Sequence, residues 1–72
     1  MDRETAKRIL ESVNRAAGEL DASLIYVRSH EPEKLFNSYR LAVGKVLAAA
    51  HENIVDSIWE QFPDLEPPSR EG

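Results

Sequence analysis

The polar side chain best placed to do chemistry is His51, because it falls among apolar residues on a helical period. Its neighbours on that period are Leu47, Ile54, Val55 and Ile58. A histidine in such a setting serves as a pH switch or as a metal ligand. The segment that follows it has no second histidine at the spacing of a zinc-protease helix, and His30 lies far along the chain. We therefore expect His51 to lie in an interface and to be satisfied by a hydrogen bond.

Arg40 lies in the same apolar arc, between Phe36 and Val43. One interpretation is an arginine whose stem covers apolar surface while its guanidinium pairs with Asp21. The other is an anion ligand or a specificity determinant in a dimer interface. We expect the paired arginine, and we keep as an alternative function a small-ligand or metal site near His51 and Arg40.

Three carboxylates recur four residues apart: Glu52, Asp56 and Glu60. Such a row can bind a divalent cation, but it is more often a solvated helix face. The chain contains no Glu-x-x-His sequence of the kind that builds carboxylate-bridged metal sites. We expect the row to face the basic residues near the start of the chain, which are Arg3, Lys7 and Arg8.

No motif for catalysis is present in the sequence. The chain has no cysteine, its serines stand in no Gly-x-Ser-x-Gly context, and its three glycines form no phosphate-binding loop. We expect a protein that is not an enzyme and that holds no cofactor and no metal.

Charge and hydropathy restrict the possible partners. The net charge is −4 and no segment is strongly basic, so the electrostatic basis of nucleic-acid binding is missing. The longest apolar run, residues 46–50, is far shorter than a membrane span, and the first residues lack a signal-peptide pattern. We expect no nucleic-acid or membrane partner and a cytoplasmic location.

The first half of the chain predicts one amphipathic helix over about residues 2–29. Apolar residues recur at steps of three and four: Ala6, Ile9, Val13, Ala16, Ala17, Leu20, Leu24 and Val27. Gly18 weakens a helix interior, and Asp21 can cap a new helix. A break between Ala17 and Ala22, giving three helices in all, is therefore the alternative.

The second half predicts a helix over about residues 32–62. Pro32 suits the first turn of a helix and disfavours helical geometry at Glu31, so the turn lies there. Pro63 ends the second helix. Residues 63–72 hold three of the four prolines and form an acidic tail that we expect to be extended or disordered, outside a hairpin domain of residues 1–62.

A short turn makes the two helices antiparallel. With the turn near residue 30, Ala16 and Ala17 lie level with Gly44 and Val43, so we expect small residues to let the axes approach closely there. The second helix carries an apolar arc that covers about half of its cylinder, which is more than one neighbouring helix covers.

This wide arc predicts that the all-α hairpin completes its core by association. Two hairpins would form a homodimeric four-helix bundle with the second helix at its centre; the alternative is a groove for a partner helix. The candidate interface residues are Phe36, Tyr39, Arg40, Val43, Leu47, His51, Ile54, Val55, Ile58, Trp59 and Phe62. We expect a small, self-associating interaction or regulatory module that acts through a protein partner.

Overall fold

The computed structural model describes residues 1–67, which form an all-helical antiparallel hairpin without strands. Its elements are α1 (Arg3–His30), α2 (Glu33–Ala50), a π-helical turn (His51–Val55), α3 (Asp56–Gln61) and a 3-10 turn (Pro63–Leu65). The backbone stays helical from α2 through the π turn into α3, so these three elements make one arm, called the second arm here. The predicted hairpin is confirmed.

Helix α1 runs unbroken through Gly18, so the three-helix alternative is wrong. It begins after Asp2, whose carboxylate accepts the Thr5 N–H at 2.8 Å. This hydrogen bond holds the pKa of the Asp2 carboxyl below its ordinary value. A Cβ added at Gly18 would meet no atom within 4 Å, because the residue faces away from the second arm.

The turn between the arms consists of Glu31 and Pro32. Glu31 has extended backbone angles, as expected for a residue before proline. Seven residues before His30, the Ser23 hydroxyl lies 2.7 Å from the Tyr39 hydroxyl of the second arm. This hydrogen bond sets the helices within one residue of the register that the short turn predicts.

Gly44 does not make the close helix contact that was expected of it. The residue is exposed, and a Cβ added there would meet no atom within 4 Å. Its neighbour Val43 faces α1 instead and is 4% exposed. Because consecutive helical residues point about 100° apart, Val43 and Gly44 cannot both face the same neighbouring helix.

The π turn is the departure from the uninterrupted α-helix that was expected over residues 32–62. The Asp56 N–H donates to the His51 carbonyl, a hydrogen bond five residues back instead of four. One extra residue is thereby accommodated, and every residue after it is turned by about 100° relative to α2. As a result Val55 is buried at 8% exposure, while Ile54 is 39% exposed.

The core of the hairpin is thin. Among residues 1–67 the buried side chains are Ala6, Val43, Val55 and Ile58. The molecule measures 44 × 30 × 16 Å, and its smallest dimension is close to that of one helix with its side chains. Because stable domains usually pack two layers around a core, this hairpin corresponds to a single layer.

The second arm ends in a turn that packs back onto the hairpin. Pro63–Leu65 form a 3-10 turn with Leu65 half-buried, where an extended arm was expected. Asp64 forms an ion pair with Arg3 of α1, and the guanidinium lowers the pKa of the Asp64 carboxyl. The rest of the predicted tail, residues 68–72, lies outside the described residues.

Hydropathy along residues 1–67 provides no helix with the length and apolar character that crossing a bilayer requires.

Candidate functional site

An apolar groove runs between the two arms on one face of the hairpin and has a volume of about 470 Å³. We call it the interhelical groove. Residues of α1 line one side: Thr5, Arg8, Ile9, Ser12, Val13, Ala16, Ala17 and Leu20. Residues of the second arm line the other: Val46, Leu47, Ala50 and Ile54. The groove therefore lies in the half of the hairpin away from the turn.

The lining of the groove suits apolar contact with another helix. Arg8 is its one charged lining residue. Ser12 and Ala16 are small and exposed, so a second helix can approach α1 closely at this point. On the other side, Val46 (56% exposed) and Ile54 stand beside the groove as uncovered apolar side chains. The interhelical groove and these exposed apolar side chains thus lie on the same face of the hairpin.

The π turn helps to shape this groove. On a regular helix Ile54 would fall in line with Leu47 and face α1. The extra residue turns it outward to the groove wall and brings Val55 into the contact with α1 instead. A regular helical period places Ile54 at the centre of the apolar arc and Val55 on its flank, and the π turn exchanges those two positions.

The eleven candidate interface residues divide into three groups by burial. Val43, Val55 and Ile58 are buried within the hairpin itself. Phe36, Tyr39, Leu47, Trp59 and Phe62 are half-buried, and Arg40, His51 and Ile54 are exposed. The first group already packs inside one chain. Of the residues that are not buried, Leu47 and Ile54 line the interhelical groove together with Val46.

His51 lies half-exposed at the start of the π turn. Its Nε2 atom is 3.4 Å from a carboxylate oxygen of Asp56, and its ring meets Trp59 edge-on with centroids 5.3 Å apart. In a regular helix residues five apart point about 140° apart, so this contact depends on the π turn. A regular helix over residues 32–62, as predicted from the sequence, would have pointed Asp56 away from His51.

Two sets of predicted ion pairs, Arg40 with Asp21 and the acidic row with the start of α1, do not form among residues 1–67. Arg40 and Asp21 are both exposed and form no ion pair with each other. Among residues 1–67, the ion pair is Arg3 with Asp64, and His51 lies close to Asp56. The acidic row opposite the basic start of α1 is therefore not paired as expected. The π turn rotates Asp56 and Glu60 relative to α2. In addition, exposed ion pairs are too weak to determine how the two arms align along their length.

Trp59 carries an unpaired donor. Its indole Nε1 is buried and has no hydrogen-bond partner in the described part of the chain. Beside the ring lies an open recess of about 290 Å³, lined by Asp56, Trp59, Glu60 and Glu66. Buried donors are nearly always satisfied in folded proteins, so this indole N–H is an exception among the described residues.

A metal site has little support in residues 1–67, which contain no group of three or more histidine, aspartate or glutamate side chains arranged to hold an ion. Arg40 and His51 are eleven residues apart on one helical arm. At about 1.5 Å per residue their Cα atoms lie about 16 Å apart, which is too far for a shared small-ion site.

The π turn shows in the burial pattern and not in the sequence, where Ala50, Ile54 and Ile58 continue a regular helical period. The buried or half-buried positions Val43, Leu47 and Ala50 follow steps of four and three. The next such positions are Val55 and Ile58, and the step from Ala50 to Val55 is five. A single step of five between two in-phase stripes indicates one inserted residue.

Models of known protein families, curated proteins and solved structures were each compared with the chain, and none matches it significantly.

Proposed function

We propose that the hairpin is half of a homodimeric four-helix bundle and acts as a small interaction or regulatory module through protein contacts, by binding and not by catalysis. The observation that carries the proposal is the interhelical groove on a molecule one helix thick. A face of this kind left in water is an aggregation hazard, whereas stacking two such layers gives the usual two-layer architecture.

The size of the face supports this assembly. Helix α1 has 28 residues and is therefore about 42 Å long. Two helices side by side are about 20 Å wide, so one face offers about 800 Å². Standard stable interfaces bury about 600–1,000 Å² on each partner, so a dimer that covers three quarters of one face lies within that range.

Size-exclusion chromatography with light scattering tests the proposal. The 8.1 kDa chain should elute with twice its mass at micromolar concentration, and its melting temperature should rise with protein concentration. A monomer at all concentrations, with concentration-independent unfolding, would contradict it. Addition of Zn²⁺ in the same experiment addresses the alternative ligand-binding bundle near His51 and Arg40, which requires the metal to raise the melting temperature.

A further inference from the structure

We infer, resting on the proposed function, that two copies meet groove to groove about a two-fold axis that crosses α1 near residue 13, with α1 antiparallel to α1 of the partner subunit. The opposite face of the hairpin then stays outside the interface. Two features of α1 are centred near residue 13 and support this position of the axis.

The first feature is the groove itself. Its α1 lining extends from Thr5 to Leu20, so its midpoint lies between Ser12 and Val13. Ser12 is exposed and small, and Ala16 follows it on the same side. A two-fold axis at the midpoint therefore brings small residues of both copies together, where the two α1 axes come closest. Val46 and Ile54 of each copy are then available to fill the groove of the other.

The second feature is a row of exposed charges on the outer side of α1. Arg8, Glu11, Arg15 and Glu19 alternate in sign at steps of three and four, so they lie along one side of the helix. An antiparallel copy centred near residue 13 sets Arg8 beside Glu19 of the partner subunit, and Glu11 beside Arg15 of the partner subunit. Each pair occurs twice by symmetry.

The alternative face-to-face arrangement sets α1 against the second arm of the partner. The exposed charges along α2 and the π turn are Glu33, Lys34, Arg40, Lys45 and Glu52. They neither alternate in sign nor recur at steps of three and four, so they cannot pair with every charge of the α1 row. The charge pattern therefore favours a second copy in the α1-antiparallel arrangement, since electrostatic complementarity selects among apolar packings of similar area.

Single cysteines test the face, because the chain has none of its own. Ser12→Cys places a thiol near the axis, where two copies should form a disulfide under mild oxidation. Asn14→Cys is the matched control, because Asn14 is exposed two residues along the same helix and points about 200° away. Cross-linking of the Ser12 variant alone supports the inference, whereas cross-linking of the Asn14 variant alone overturns it.

Charge reversal tests the orientation. Arg8→Glu and Glu19→Arg should each raise the dimer dissociation constant about tenfold, since each creates two repulsive contacts. The double variant should return to within about twofold of the wild type. Arg8 and Glu19 are about 16 Å apart within one α1, so this rescue requires contact between chains. Absence of rescue in a protein that light scattering shows to be dimeric overturns this arrangement alone, while a monomeric wild type overturns the proposed function as well.

Discussion

The imidazole of His51 lies 3.4 Å from the carboxylate of Asp56, five residues further along the same helical arm. The contact exists because one extra residue is accommodated between them, and the same extra residue sends Val55 to the core and Ile54 to the groove. A local backbone irregularity thus determines which apolar side chains remain available to a partner.

Deleting one residue of the π turn should preserve the fold. Removal of the exposed Asn53 converts the turn into regular α-helix and keeps Val55 and Ile58 in phase with Leu47. We expect a melting temperature equal to or above that of the wild type in circular dichroism.

Deletion of the exposed Asn14 is the matched control, since α1 is a regular α-helix that contains no π turn. It turns the first part of α1 by about 100° relative to the rest, and we expect a loss of about 2 kcal/mol or more, as for other core disruptions. Equal losses for the two deletions would contradict the role assigned to the π turn.

The edge contact between His51 and Trp59, the single tryptophan of the chain, should be visible in fluorescence. The two rings meet edge-on with centroids 5.3 Å apart, so loss of the imidazole changes the surroundings of the indole. We expect the emission of Trp59 to change in His51→Gln and to stay as in the wild type in His30→Gln, since His30 lies at the turn end of α1. Unchanged emission in His51→Gln would mean that the edge contact does not form.

Much of the hairpin follows from the sequence. The helical period of α1, the proline at the turn and the proline after Phe62 indicate both arms within about two residues, because each signal acts locally. The positions around Ile54 do not follow from a regular period, since one inserted residue rotates everything after it. The ion pairs predicted for Arg40 and Lys7 do not form among residues 1–67, because exposed ions gain little from any one partner.

The hydroxyl pair between the arms should stabilise the hairpin. Ser23→Ala and Tyr39→Phe each remove one partner of the 2.7 Å hydrogen bond. In a double-mutant cycle followed by urea unfolding we expect a coupling free energy of about 0.5–1.5 kcal/mol. A coupling of zero would mean that the hydroxyls prefer water to each other. Protein concentration must be the same for all four proteins, because association adds to apparent stability.

Ile58, the largest buried side chain among residues 1–67, should be sensitive to the loss of one methylene. Ile58 is 2% exposed, and Ile58→Val should cost about 0.5–1.5 kcal/mol in the free energy of unfolding. Ile25→Val makes the same chemical change at an exposed position and should cost less than about 0.5 kcal/mol. Similar costs for both would place the core elsewhere.

The Arg3–Asp64 pair should stabilise the hairpin only where the carboxylate is charged. Asp64 has a lowered pKa in the folded chain and an ordinary value of 3.8 when unfolded. Its contribution is therefore present above pH 3.8 and is lost as the pH falls through the folded value.

Asp64→Asn should accordingly lower the melting temperature at pH 7 but not at pH 2. Glu66→Gln, a neighbouring carboxylate outside the ion pairs of residues 1–67, is the control. A difference for Asp64→Asn that persists at pH 2 would show that the pair does not act through charge.

The same pair has a mechanical consequence. Arg3 and Asp64 belong to opposite arms but lie at one end of the hairpin, far from the turn at Pro32. A force applied through these two residues would peel the arms apart contact by contact, like a zipper opened from its free end, instead of shearing all contacts at once. The ion pair would break first and the Ser23–Tyr39 hydrogen bond among the last. Under tension, the protein would yield gradually and re-close from its turn.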